Sequence, residues 1–540
     1  MNSLETRKRM SLMKKWIYLL VCAALLPSCQ GFLDVVPENS QVSDDYWNTE
    51  QDVETMLAGG YYYLRSAVVD YLIPWGEGRA GLVYNTKSNN ALQSWQIQSN
   101  SSLCDWSVFY KIINLANTVL ERADEACAND DTYSEAARNS HYTEAYFLRA
   151  LSYFYLVRNF RDVPLTLKAY EDDNVEINLA KSSEEEVVAQ IKNDILTALE
   201  TGAAKESFQT TWETKGRATK WALYALMCDV CLWSGDYAGC IQYAEAILQA
   251  NSAKAPSFLS TPSRATYMSI FNPGNSNESI FELQWNYEED QTNALPELFD
   301  DQNDNAAYAV SPEACNDFVR EYLAIVGDGE ELITKESPRT YHSSFFPATG
   351  DGMAIGMTKG YVWKYVGSTT EDKKRTVTYY DPNFIIYRVA DVILMEAEAY
   401  LLLDGTEPTA EHKLAAVRLI NRIRERAGLE DNIAAGLSEE EALAEMSLYP
   451  QENLLDKVLD ERKIEFLGEG KIWYDFLRLG RCLQGKYKND FLVEQVVSYN
   501  TCASESWIRS VLTSDNALFM PVNETDIERN PQLIQNPYYN

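Results

Sequence analysis

The sequence predicts a mainly α-helical protein in which paired helices carry a loop-rich second part. Two observations lead there. Apolar residues recur at helical spacing over two blocks, about 52–249 and 383–480, and turn-forming residues crowd the stretch between them. With 540 residues the chain can bury a large core, and past its N-terminus no segment is long and apolar enough to cross a bilayer as a helix.

In the first block Trp106, Phe109, Ile113, Ala116 and Leu120 follow one another at steps of three or four, so they share one helix face. Ala145, Leu148, Leu151 and Tyr155 repeat the spacing, and that helix is expected to end before Val163-Pro164, where proline stops its continuation. A polar loop over 74–102 is expected to interrupt the block. Residues 222–250 read as a helical pair: Ala225, Val230 and Leu232 on one helix, Ser234-Gly235-Asp236 as the turn, and Ala238, Ile241, Tyr243 and Ala244 on the next. Val392 to Leu403 with Leu414 to Arg426 gives a second pair. Several such pairs suggest a tetratricopeptide-like helical-repeat scaffold, against generic antiparallel hairpins. Residues 257–381 and 481–540 supply the loop-rich second subdomain, where the run Ile280 to Trp285 reads as a buried strand.

The N-terminus reads as a targeting segment. Arg7, Lys8, Arg9, Lys14 and Lys15 precede an apolar run from Trp16 to Leu26, which is shorter than the about 20 residues a spanning helix needs and is therefore read as a cleaved signal. Leu26-Pro27-Ser28-Cys29 places a small residue before a cysteine, as in a bacterial lipobox, so Cys29 is the expected lipidated N-terminus of the mature chain. Several acyl chains on one residue give stable anchoring, at about 0.8 kcal/mol per buried CH₂.

Charge and cysteine usage exclude several classes. The net charge is −33, and removing the +4 of residues 1–28 leaves −37, which repels nucleic acid and anionic headgroups. Cys228 and Cys231 have CxxC spacing but lie in an apolar helical pattern without a second pair, so they read as buried thiols. No cofactor motif is present, and the acidic loop 300–304 reads as solvated.

Catalytic patterns fare poorly. Residues 76–81 fit GxGxxG, but Pro74 precedes them and a polar loop follows, so the segment reads as a turn. His141, His342 and His412 stand apart, with no HExxH or GxSxG. A glycoside hydrolase needs only two carboxylates, and Glu396 with Glu398 or Glu461 with Glu465 could be offered. Each sits in an apolar-periodic helix, where an ion pair with Arg388, Arg462 or Arg478 is the plainer expectation. A periplasmic repeat scaffold for protein partners is the third reading.

Motifs spread along the chain then become specific together. They are Cys29 with Phe32-Leu33-Asp34; 144–150 through Asp162-Val163-Pro164-Leu165; Gly216-Arg217-Ala218-Thr219; 388–398; Asp460-Glu461-Arg462 with Glu465-Phe466; Trp473 and Asp475 with Leu477, Arg478 and Arg481; and Pro521 with Asn530-Pro531 and Asn536-Pro537. In this order the chain resembles the SusD/RagB nutrient-binding outer-membrane lipoproteins of the Bacteroidota. The resemblance implies residues 1–28 as signal peptide, 29–256 as an N-terminal helical region with its binding loop at 74–102, and 257–540 as the C-terminal region. It further implies a non-catalytic protein anchored at the outer-membrane surface, which captures a glycan or other nutrient and loads a SusC-like, TonB-dependent transporter.

A sugar presents an apolar ring face and a rim of hydroxyls, so its receptor needs exposed aromatic platforms beside planar polar groups. Two loop regions offer that mixture: Trp75, Arg79, Tyr84, Asn89, Asn90 and Trp95 in the first, and Tyr287, Asn293, Tyr308, Tyr361 and Trp363 in the second, with Trp285 assigned to core. These regions are expected to converge on one shallow site.

Overall fold

The computed structural model describes residues 46–86, 90–170, 178–299, 308–327, 337–341, 343–347, 353–367, 373–376 and 379–539. The expected signal peptide, Cys29, Asn89 and the loop 300–304 lie outside them. Residues Thr49–Asn540 form one unit.

Helix α1 (Glu50–Ala67) starts where the Asp52 carboxylate accepts the Thr49 backbone N–H at 2.9 Å. It packs on α2 (Ser107–Asn129), α2 on α3 (Glu135–Phe160), and α3 on α4 (Glu184–Glu200). Helix α3 is central, buried almost all round over its C-terminal half. A buried polar clamp fixes the three helices' register: Arg149 forks onto Asp194 of α4 at 2.8 and 2.6 Å and donates to Asn117 of α2 at 2.8 Å.

The expected pairs are present. Helices α5 (Lys220–Trp233) and α6 (Tyr237–Leu248) turn at Gly235, whose φ of +75° favours glycine, and Asp236 caps α6 through Gly239 N–H at 3.1 Å. Cys228 sits 3.3 Å from the Cys240 sulfur across this pair; both thiols are buried, as is Cys231.

Strand β1 (Val83–Asn85) belongs to a four-stranded antiparallel sheet with three later segments, and two-stranded ladders pair β2 (Val163–Pro164) with β3 (Lys181–Ser182) and β4 (Ser279–Leu283) with β8 (Phe384–Arg388). The sheet's order is β1, β5 (Tyr308–Val310), β7 (Gly360–Val362), β6 (Phe345–Pro347). Helix α7 (Pro312–Val326) follows β5. Next come α8 (Val389–Leu402) and α9 (Ala410–Ala427), the second expected pair; α8 packs against α6 and so joins the two helical blocks. Helices α10 (Gln451–Glu465) and α11 (Ile472–Gly485) complete the scaffold.

Three boundaries differ from expectation. Residues 74–78 are helical: α1 runs on through π-helical turns Val68–Leu72 and Pro74–Gly78, because Pro74 occupies the first position of such a turn, where its missing N–H costs nothing. Strand β4 stops at Leu283, two residues before the buried Trp285. The second part is less loop-rich than expected, since α7 and the short helices Glu494–Tyr499 and Glu505–Leu512 lie in it.

The GxGxxG glycines explain one close crossing. A Cβ on Gly76 would lie 1.9 Å from the Gly470 carbonyl oxygen, so backbone meets backbone there. Gly76→Ala is expected to lower the urea midpoint, at a cost of about 1–3 kcal/mol or more, whereas Gly202→Ala, with open space around it, should cost less despite its positive φ.

The C-terminal part is built around a buried ionic network. Arg388 reaches Glu278 at 3.1 Å, Glu465 at 2.6 Å and Glu469 at 2.9 Å. Arg426 shares Glu278 at 2.7 Å and also binds Glu465; Arg339 joins Glu465 at 3.1 Å, Glu461 at 2.6 Å and Glu321 at 2.5 Å. Lys364 meets Glu469 at 2.5 Å and Arg424 meets Glu461 at 2.8 Å. Five cations thus face five carboxylates, and burial that would push the Glu465 carboxyl up is overcome by Arg426, Arg388 and Arg339, which hold it well below the usual carboxylate range.

Candidate functional site

The sheet brings the two expected loop regions together. Tyr84 pairs with Ala309 and Asn85 with Tyr308, while Val310 pairs with Gly360, so strands from both regions are hydrogen-bonded neighbours. Alternation puts Tyr84 and Tyr308 on opposite faces.

Most of the expected aromatics are nevertheless packed inside. Trp75 donates its indole N–H to the Leu103 carbonyl at 2.9 Å and stacks on Phe109, and Arg79 donates to Leu518 O at 2.6 Å and Asn159 at 3.1 Å. Both are fully buried because the π-helical turns carry them inward from α1. Trp95, in left-handed conformation, sits edge-on to Trp473 with ring centroids 5.4 Å apart, and Arg79 covers that ring at 4.4 Å. Tyr308 and Trp363 are also buried, the latter stacked on Phe346 at 4.5 Å, and Lys374 covers Tyr361 at 4.2 Å.

Asn293 holds its loop by donating to Pro382 O at 2.9 Å; Asn90 caps its own turn through Gln93 N–H at 3.2 Å. Tyr287 is half-buried edge-on to Tyr379, and Tyr84 is half-buried. Trp507, from the C-terminal tail, adds an aromatic surface beside the first loop: 39% exposed, it donates its indole N–H to Ser94 O at 2.8 Å.

A cavity of about 510 Å³ opens elsewhere, between α1, the short helix Thr211–Gly216 and the chain just after β4. Tyr62 and Trp212 line it, 58% and 40% exposed. Its polar groups are of the planar type. Arg65 donates to Gln284 O at 3.0 Å and to Gln291 Oε1 at 2.8 Å, which orients the Gln291 amide. Glu54, Glu213 and Glu289 bring carboxylates to the rim.

Behind them the wall is closed: Tyr61 donates to Glu144 at 2.8 Å, and Arg217 forks onto the same carboxylate at 2.9 and 2.7 Å. Burial pushes the Glu282 carboxyl in this wall up to about 7. The chemistry is that of a ring-stacking, hydroxyl-binding cleft. Sequence reading missed it because it followed loops, whereas these platforms sit on helices. A usable signal was present: Tyr61-Tyr62-Tyr63 in one helix point about 100° apart, so one of them must face out.

Comparison with known proteins agrees in order and extent with this architecture. The family described as "Starch-binding associating with outer membrane" matches residues 31–232, and the one described as "SusD family" matches residues 347–539. The chain belongs to the SusD family. A SusD relative, the SusD-like protein P38 of Formosa agariphila, is 26% identical over 502 residues, covering 86% of this chain and 91% of its own. Among solved structures, a SusD superfamily protein from Bacteroides thetaiotaomicron superposes with a TM-score of 0.68 at 21% identity, over 92% of this chain and 99% of its own. A laminarin-binding SusD-like protein gives 0.64 at 19%, over 91% and 100%. These likenesses confirm the SusD fold. Among the described residues no helix is long and apolar enough to cross a membrane.

Proposed function

We propose that this SusD family protein is a non-catalytic glycan receptor, held at the outer-membrane surface by lipid on Cys29, which captures oligosaccharide and delivers it to a SusC-like, TonB-dependent transporter. The observation that carries the ligand class is the cavity where the exposed rings of Trp212 and Tyr62 stand among Arg65, Gln291 and rim carboxylates. The family description that names starch binding and outer-membrane association, and the laminarin binding of one structural neighbour, support it. Three of the four carboxylates weighed for hydrolysis give it further support: Glu398 is forked by Arg478 at 2.7 and 2.5 Å, and Glu461 and Glu465 belong to the buried network. Glu396 departs from the expected ion pair, since burial pushes its carboxyl up to about 7.

Trp507 and Tyr84 favour a second location for the same activity, on the surface of the first loop. Affinity electrophoresis of the protein through gels carrying plant, host and fungal polysaccharides tests the reading. Retarded migration on at least one glycan, with no reducing sugar released, is the expected outcome; sugar release would establish a hydrolase, and free migration through every gel would remove the glycan reading.

A further inference from the structure

We propose that Glu50, Glu54 and His141 form a binding site for one divalent transition-metal ion of zinc-like chemistry, at the end of the cavity to which Glu54 also contributes. Glu50 and Glu54 lie one turn apart on α1, so their carboxylates share a face, and His141 of α3 meets them from across the helix interface. The His141 ring is 2% exposed, and its Nδ1 is fixed by the Tyr133 hydroxyl at 2.7 Å. Its Nε2 points at Glu54 Oε1 at 3.7 Å and Glu50 Oε1 at 3.9 Å, both too long for hydrogen bonds.

The imidazole Nε2 thus faces two carboxylates at separations that a cation between them would bridge. Four ligands about 2.1 Å from a tetrahedral zinc ion stand roughly 3.4 Å apart. The three donor atoms here all lie within 4.8 Å of one another, so rotamer adjustment of the two glutamates draws them onto one ion and leaves one position for water. One nitrogen and two oxygen donors suit zinc and its neighbours, whereas calcium and magnesium prefer all-oxygen shells. Tyr133 supplies the outer partner that metal-bound histidines have, accepting from Nδ1–H.

The surrounding charges are mixed. Arg217 approaches Glu54 at 3.6 Å but forks onto Glu144, and Lys205 also faces the histidine. Asp130 adds negative charge beside Glu50. The site is independent of the glycan reading.

Titration of the full-length chain in detergent with Co²⁺ tests the proposal. One equivalent should bind with a visible spectrum of nitrogen and oxygen ligation, without a thiolate charge-transfer band, and Zn²⁺ should displace it while a large excess of Ca²⁺ should not. The double variant Glu50→Gln/Glu54→Gln should lose at least 100-fold in affinity while melting like the parent in chelator, and Glu54→Gln alone, a milder change, should lose at least tenfold. Tyr133→Phe should cost about tenfold. No saturable binding by the parent, equal binding by the variants, a thiolate band or easy displacement by Ca²⁺ would each overturn the site.

Discussion

Replacing Glu465 by glutamine is expected to lower the unfolding free energy by about 3–5 kcal/mol, read from urea denaturation, because it leaves three buried arginines facing a neutral amide. Arg388, Arg426 and Arg339 come from different segments and meet on this carboxylate, so no single side-chain movement relieves all three. The pH dependence has a definite sign. A carboxyl depressed in the folded state adds stability that is full above its unfolded value of about 4.3 and is lost as pH falls towards the folded value. The gap between parent and variant should therefore be full above about pH 5 and narrow below about pH 4. A gap that stays constant through acid would show that the carboxylate's charge is not what the arginines use.

Replacing Trp212 by alanine is expected to weaken binding of the recognised glycan by about 10- to 100-fold, the range of an aromatic anchor worth about 1.4–3 kcal/mol. The ring is partly exposed on a short, well-capped helix whose Thr210 hydroxyl accepts the Glu213 N–H at 3.1 Å, so its removal should leave the melting temperature nearly unchanged. Tyr62→Ala should act in the same direction. Tyr84→Ala and Trp507→Ala make the contrasting pair. If those two abolish retardation and the cavity variants do not, the glycan lies on the first loop's surface.

Much of the scaffold is legible in the sequence because helical burial leaves a periodic trace. The face Trp106–Phe109–Ile113–Ala116 and the turn Ser234-Gly235-Asp236 were readable from spacing and from one glycine with positive φ. The candidate site was far less legible. Trp75 and Arg79 look like loop recognition residues, and only the π-helical continuation of α1, which no periodicity announces, turns them inward. Trp95 has the composition of a platform but packs against Trp473, a partner hundreds of residues away, and Tyr308 packs near Phe299. Burial of an aromatic is decided by such distant partners, which local spacing does not record.

The crossing of Gly76 with Gly470 also bears on the order in which the molecule can assemble. Glu77 accepts the Gly470 N–H at 2.8 Å, Arg79 donates to Leu518 O at 2.6 Å, and the Asn159 carbonyl accepts Met520 N–H at 2.7 Å. The interior of the first helical block thus holds a buried acid whose partners come from the last seventy or so residues and a buried guanidinium that shares itself between Asn159 of its own block and Leu518. A chain delivered N-terminus first cannot complete the partners of either group until nearly all of it has arrived. Contacts of such sequence separation carry a large loop-closure cost, so these pairings belong to the late, non-local part of assembly.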